Sequence, residues 1–239
     1  MNRTHHNFDQ ETKGWVDLIH PREPSIRLTV DLDARWVIVG AGFTGLSCAR
    51  RLAELNPNEK IILLEAREIG QSASGRNSGY AVAHSHFSGG YQNSQLKHYQ
   101  RIDRINQTGL NSLKSIIDKN QIECDYKDSG IFHLAADKDS SKECDQFVDY
   151  LQKRQIEHKE LSKDQINEEL GTNWYQKGVK VKKGALVQPA KLVFGLAESL
   201  PNNVELYENS PVLGIDRGRI NTIKTPSSIL KAENIILAC

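Results

Sequence analysis

Three glycines and one acid define the chemistry within reach of this chain. The residues Gly40-Ala41-Gly42-Phe43-Thr44-Gly45 carry a GxGxxG spacing, and Glu65 stands twenty positions past Gly45. Each residue type answers a need of dinucleotide binding. Gly40 permits a tight strand-to-helix turn, Gly42 lets the backbone approach a pyrophosphate, and Gly45 allows the helix to lie close on the strand. The N–H groups and dipole of the helix N-terminus then hold the phosphates. Glu65 can accept hydrogen bonds from ribose hydroxyls, and its charge disfavours a 2′-phosphorylated nicotinamide cofactor. The motif does not choose between FAD and NAD.

A second candidate lies in the run Ala66 to Tyr80, rich in Ser and Gly and poor in core-forming side chains. Such a run reads as a loop. Arg76 and the backbone N–H groups of Ser74-Gly75-Arg76-Asn77-Ser78-Gly79 suit a second anion cradle, meeting the same dinucleotide from the far side. The alternative is a flexible surface linker. His84 and His86 are two apart, a spacing a strand would put on one face, where they could line a substrate entrance or move a proton. No metal site is expected, because these two histidines have no further ligands nearby and the His5-His6 pair reads as solvated. Cys48, Cys124, Cys144 and Cys239 are scattered without pairing, so free thiols are expected.

Regular elements must position these residues. Trp36 to Val39 has the length and β-branching of a buried parallel strand. Leu46, Ala49, Leu52, Ala53 and Leu55 put an apolar stripe on one helical face, with Arg50, Arg51 and Glu54 outside it. Asn56-Pro57-Asn58 stops that helix, and Ile61 to Leu64 reads as the next strand. Before them, Met1 to Asp33 reads as an irregular arm, broken by Pro21 and Pro24, that packs Trp15 on the domain.

Beyond the Ser/Gly-rich run, Tyr80 to Gly90 reads as loop and Gln95 to Asn120 as a helix that Gly109 bends or divides. A strand near Gly130 to Ala135 follows, then a helix from Ser141 to Gln155 with Cys144, Phe147, Val148 and Leu151 on one face. Ser162 and Gln165 form a capping box for a helix ending at Leu170. Gly184 to Val187 is strand-like, and Pro189 opens a helix to about Leu200. Val204 to Tyr207, Val212 to Asp216, Ile220 to Lys224 and Ile229 read as a small β-meander, and Asn234 to Ala238 as a parallel strand of the main sheet.

The 239 residues carry a nearly balanced charge, formally +1. No dense basic stretch points to nucleic acid, no apolar run reaches membrane-span length, and the polar N-terminus lacks a secretory pattern. A cytoplasmic location is the default expectation.

The pairing of GAGFTGLSCA with ILLEAREIGQSASGRNSG resembles the FAD-dependent oxidoreductases of the D-amino-acid oxidase and glycine oxidase superfamily. Within it the likeness is strongest to the γ-glutamylputrescine oxidase group. It continues through QIECDY with Gly130-Ile131-Phe132, through GALVQPA at 184–190, and to Ile235-Ile236-Leu237-Ala238. The resemblance implies an α/β fold, a Rossmann-like FAD-binding domain of the glutathione reductase type with an inserted α+β substrate domain. The expected divisions are an N-terminal arm at 1–33, the FAD domain at 34–90 and 184–239, and part of the substrate domain at 91–183.

It also implies FAD as cofactor. Residues 40–45 and 74–79 would hold the pyrophosphate, with the later segment reaching the isoalloxazine ring. Glu65 would bind the adenosine ribose, with Ala66 and Arg67 bordering it, and Val212 would turn its backbone to the adenine. The implied reaction oxidises a C–N bond of a small amine or amino acid by hydride transfer to flavin N5, with oxygen as acceptor. No catalytic side chain is named, and the oligomeric state is not set. Members of the superfamily continue past the point matching Cys239, so a truncated chain is expected. Alternatives are a non-catalytic FAD-binding remnant and an NAD-dependent dehydrogenase.

Overall fold

The structure, a computed structural model, describes residues 14–84 and 93–239. His5, His6 and His86 lie outside the described residues. In chain order the elements are β1 (Leu32–Val39), α1 (Phe43–Leu55), β2 (Ile61–Leu64), β3 (Tyr80–Val82) and α2 (Leu96–Asn120). Then come β4 (Ile131–Ala135), α3 (Lys138–Lys153), β5 (His158–Ser162), α4 (Lys163–Leu170), β6 (Lys177–Val181) and β7 (Gly184–Leu186). The last are α5 (Pro189–Glu198), β8 (Val204–Tyr207), β9 (Gly214–Asp216), β10 (Asn221–Lys224) and β11 (Ile229–Leu237). Among the described residues no helix is long and apolar enough to cross a membrane.

The chain divides into two compact units. The first comprises Met1–Ser78, Asn120–Cys124 and Gln188–Cys239. Its six-stranded sheet has the order β8-β2-β1-β11-β10-β9. β1 sits between β2 and β11, parallel to both, and β8 adds parallel to β2. The composition accounts for this: β2 is Ile-Ile-Leu-Leu, buried at every position, as a strand covered on both faces must be. Leu28, Val37, Ile62, Leu64, Tyr207, Ile223, Leu230 and Ala232 form a core cluster of this unit.

Several expectations change here. β1 starts at Leu32 rather than Trp36, so the end of the arm is already strand. β8 is not part of a meander but pairs with β2, and Ile229 and Asn234 belong to one continuous β11, partnered by β10 along its first half and by β1 from Leu230 to Leu237. Arg50 is buried, not outside the stripe, because its guanidinium donates to Leu196 O at 3.3 Å and Ser199 Oγ at 2.7 Å. Leu55 is exposed instead, as the last residue of α1.

The second unit comprises Gly79–Lys119 and Asp125–Val187. Its antiparallel sheet has the order β4-β6-β5, and Tyr99, Ala135, Phe147, Tyr150, Leu151, Val179 and Val181 form its core. Gly109 does not divide α2, which runs unbroken for 25 residues; a side chain there would meet open space. α3 begins earlier than expected, at a capping box between Asp137 and Ser140. Tyr80 to Val82 is strand rather than loop, since β7 supplies an antiparallel partner.

Candidate cofactor site

The turn from β1 into α1 explains each glycine separately. Gly40 has φ +100°, and a Cβ on it would stand 2.9 Å from Ala238 O on β11's end. A Cβ on Gly45 would stand 1.8 Å from Gly40 O, so the helix can lie on the strand only with glycine there. At Gly42 the neighbour is Ser74 Oγ, 2.8 Å from a Cβ built at that position. The same hydroxyl accepts the N–H of Phe43 at 3.0 Å. Ser74, from the Ser/Gly-rich run, therefore touches the first glycine turn directly.

Helix α1 has no side-chain cap, because its N-cap is Gly42. Its first N–H goes to Ser74, while those of Thr44 and Gly45 find no partner among the described residues. Unpartnered amides at the positive end of a helix dipole favour an anion. Ala41 is buried and Thr44 exposed.

Glu65 is buried at the end of β2. Its Oε2 accepts the N–H of Ala41 at 2.9 Å and its Oε1 that of Arg67 at 3.1 Å. The acid thus braces the glycine turn as well as standing where a ribose acceptor is expected, and each oxygen keeps a further lone pair. Ala66 is exposed; Arg67 is half-buried and its carbonyl accepts Asn209 N–H at 3.0 Å.

Within the second loop, Ala73–Gly75 forms a 3-10 turn, and a Cβ on Gly75 would stand 2.1 Å from Gly70 O. Asn77 Nδ2 donates back to Ser74 O at 2.9 Å. The side chains of Arg76, Asn77 and Ser78 are exposed, and Gly79 takes a left-handed φ of +76°. Val212 lies just before β9 rather than in it, packed on the core cluster, and its N–H and C=O find no partner among the described residues.

His84 belongs to a different arrangement, inside the second unit. Its Nδ1 lies 3.1 Å from Asp103 Oδ1, and Tyr150 donates its hydroxyl to the other oxygen of the same carboxylate. Burial and that carboxylate push the Tyr150 phenol well above its ordinary range. This network borders an open cleft of about 390 Å³, lined also by Gln100, Arg104 and Arg154. All four cysteines are free, and no group of metal-ligating side chains occurs among the described residues.

Sequence reasoning missed Glu208. Fully buried, its carboxylate accepts the N–H of Ile69 at 2.6 Å and that of Ser25, and pairs with Arg22 at 2.5 Å. A lone Glu after an apolar strand gives no local sign of such partners.

Amides free at a helix N-terminus, a second loop bonded to the same turn, and a buried acid ending the neighbouring strand together fit the pyrophosphate and ribose of FAD.

Comparison with known proteins points the same way. The family model described as "DAO: FAD dependent oxidoreductase" matches residues 35–239. The chain is 28% identical over 204 residues to gamma-glutamylputrescine oxidoreductase of Escherichia coli, covering 84% of this chain and 47% of that protein. It is 27% identical over 219 residues to the probable oxidoreductase OrdL of Haemophilus influenzae, with the same coverage of 84% and 47%. The chain thus spans about half the length of the curated relatives it matches. Among solved structures, glycine oxidase from Geobacillus kaustophilus aligns with a TM-score of 0.70 at 18% identity, over 86% of this chain and 55% of that one. L-amino acid deaminase from Proteus vulgaris aligns with a TM-score of 0.69 at 17% identity, over 92% and 49%. Those two likenesses establish the fold.

Proposed function

The chain belongs to the DAO family of FAD-dependent oxidoreductases, and from that premise we propose that it holds FAD for the oxidation of a C–N bond in a small amine or amino acid. A γ-glutamylated amine is the substrate we favour, on the likeness to gamma-glutamylputrescine oxidoreductase, with oxygen as the acceptor. One observation carries the reading: the hydroxyl of Ser74 accepts the Phe43 N–H at 3.0 Å, so two loops far apart in sequence form one cradle.

In this scheme Gly40, Ala41, Gly42, Phe43, Thr44 and Gly45 form the first wall of the cradle. The amides of Thr44 and Gly45 bind the pyrophosphate. Ser74, Gly75, Arg76, Asn77, Ser78 and Gly79 form the second wall, where the exposed Arg76 guanidinium adds charge-assisted bonds. Glu65 takes a ribose hydroxyl on its remaining lone pairs, Ala66 and Arg67 border the adenosine, and Val212 offers its backbone to the adenine. Bound FAD supplies the hydride acceptor. The protein contributes binding, orientation and a fixed electrostatic setting. We assign the second unit to the substrate domain.

An absorbance spectrum tests the cofactor and an amine panel tests the reaction. Purified chain should titrate FAD to one equivalent and ignore NAD, and bound flavin should bleach anaerobically with γ-glutamylputrescine sooner than with free amino acids. Failure to bind FAD would remove the proposal; bleaching by glycine alone would move the substrate toward simple amino acids.

A further inference from the structure

The second loop is mostly exposed. From Gln71 to Ser78 only Gly75 is buried, and the run folds on itself through a 3-10 turn and the Asn77 amide, which donates to Ala73 O and Ser74 O. Contacts from outside the run set its conformation: Phe43 holds Ser74, and others come from the arm, which precedes the stretch matched by the family model, starting at 35.

The arm grips the loop at both ends. At one, Trp15 Nε1–H donates to Asn77 O at 2.8 Å, and Gln188 Nε2 at the N-cap of α5 donates to Trp15 O at 3.0 Å. Trp15 itself is 37% exposed, so the indole is poorly explained as a core residue. At the other end, Glu208 accepts the Ile69 N–H at 2.6 Å while both its oxygens take N–H groups from Arg22, at 3.3 and 2.5 Å. The Arg22 guanidinium also lies 5.5 Å from the Phe194 ring centre, and Phe194 with Val16 closes on Gly70, where an added Cβ would stand 2.8 and 3.4 Å from them.

We infer that the arm from Trp15 to Leu28 is a clasp that holds the loop 69–79 in its cofactor-ready shape before FAD arrives. Trp15, Arg22 and Glu208 are its positioning residues, acting through the Asn77 carbonyl and the Ile69 amide. The inference rests on the reading that Ser74–Gly79 holds FAD. Its physical content is preorganisation: a loop already fixed loses less conformational freedom when ligand binds. It also assigns work to a segment that the family match leaves out.

The test compares Trp15→Phe and Arg22→Ala with a surface control, Arg51→Ala, in the full chain. FAD affinity is read by flavin fluorescence, loop order by hydrogen exchange over 69–79 in apo protein, and folding by the apo melting temperature. Losing one such hydrogen bond should weaken FAD binding about threefold to tenfold. Exchange over 69–79 should rise in both arm variants, saturating FAD should narrow the gap, and the control should change neither. If Arg22→Ala fails to fold, Trp15→Phe decides alone, because phenylalanine keeps a six-membered aromatic ring at that place and loses the pyrrole ring with its N–H. Wild-type affinity and wild-type exchange in Trp15→Phe would overturn the clasp while leaving the FAD reading intact. No FAD binding by the unmutated chain would overturn both.

Discussion

A methyl group at position 42 would press on Ser74 Oγ, so the glycine there serves the contact between two loops as well as the approach of a phosphate. Gly42→Val should therefore break the bond from the Phe43 N–H and reduce FAD affinity at least tenfold by flavin fluorescence, with α1 helicity retained in circular dichroism. Ser74→Ala, which spares the glycine, should cost a smaller factor, about fivefold. Tyr207 offers a pH test. Burial first, then its hydrogen bond to Glu205, raises its phenol from 10.0 to about 12. The neutral form is the one the fold prefers, so its stabilisation is complete below pH 10 and is lost as pH rises from there toward 12. Tyr207→Phe should flatten that alkaline loss in melting curves. At this scale the sequence spoke clearly where the requirement was local. The glycine spacing and the acid after β2 were legible because turn, helix and strand are neighbours. Arg50 and Glu208 were not, since their partners stand 146 and up to 186 residues away and leave no trace in the surrounding pattern.

Elements were readable when their pattern was self-sufficient. β2 and β8 announced themselves as short runs of the right composition, and the Ser162 and Gln165 pair marks the start of α4 as expected, with Ser162 N donating to Gln165 Oε1 at 2.9 Å. Ser162→Ala should lower stability by about 0.5–1 kcal/mol in denaturant unfolding, the usual cost of an N-cap serine. The box at α3 has no such signature in the sequence, because Ser140, not Glu or Gln, closes it. β11 looked like two strands because Glu233 and Asn234 interrupt its apolar residues, yet burial alternates through Leu230 and Ala232 in one register with β1. β3 looked like loop because its three residues become a strand only beside Gly184–Leu186, a partner supplied about a hundred positions later.

For the whole molecule, the two units carry separate hydrophobic cores. Leu151, fully buried in the second, should cost about 2–5 kcal/mol when truncated to alanine. The resulting loss of amide protection should fall on 79–119 and 125–187 and spare the β1-β2 ladder, as native-state hydrogen exchange would read. The central sheet has another consequence, one of timing. β1 is flanked on one side by β2 and on the other by β11, with Val39 beside Leu237. A ribosome adding about 5–20 residues per second needs on the order of ten seconds or more to make the chain between those two strands. Throughout that interval the nascent β1 edge stands open to other chains, and a chaperone or slowed translation would matter most there.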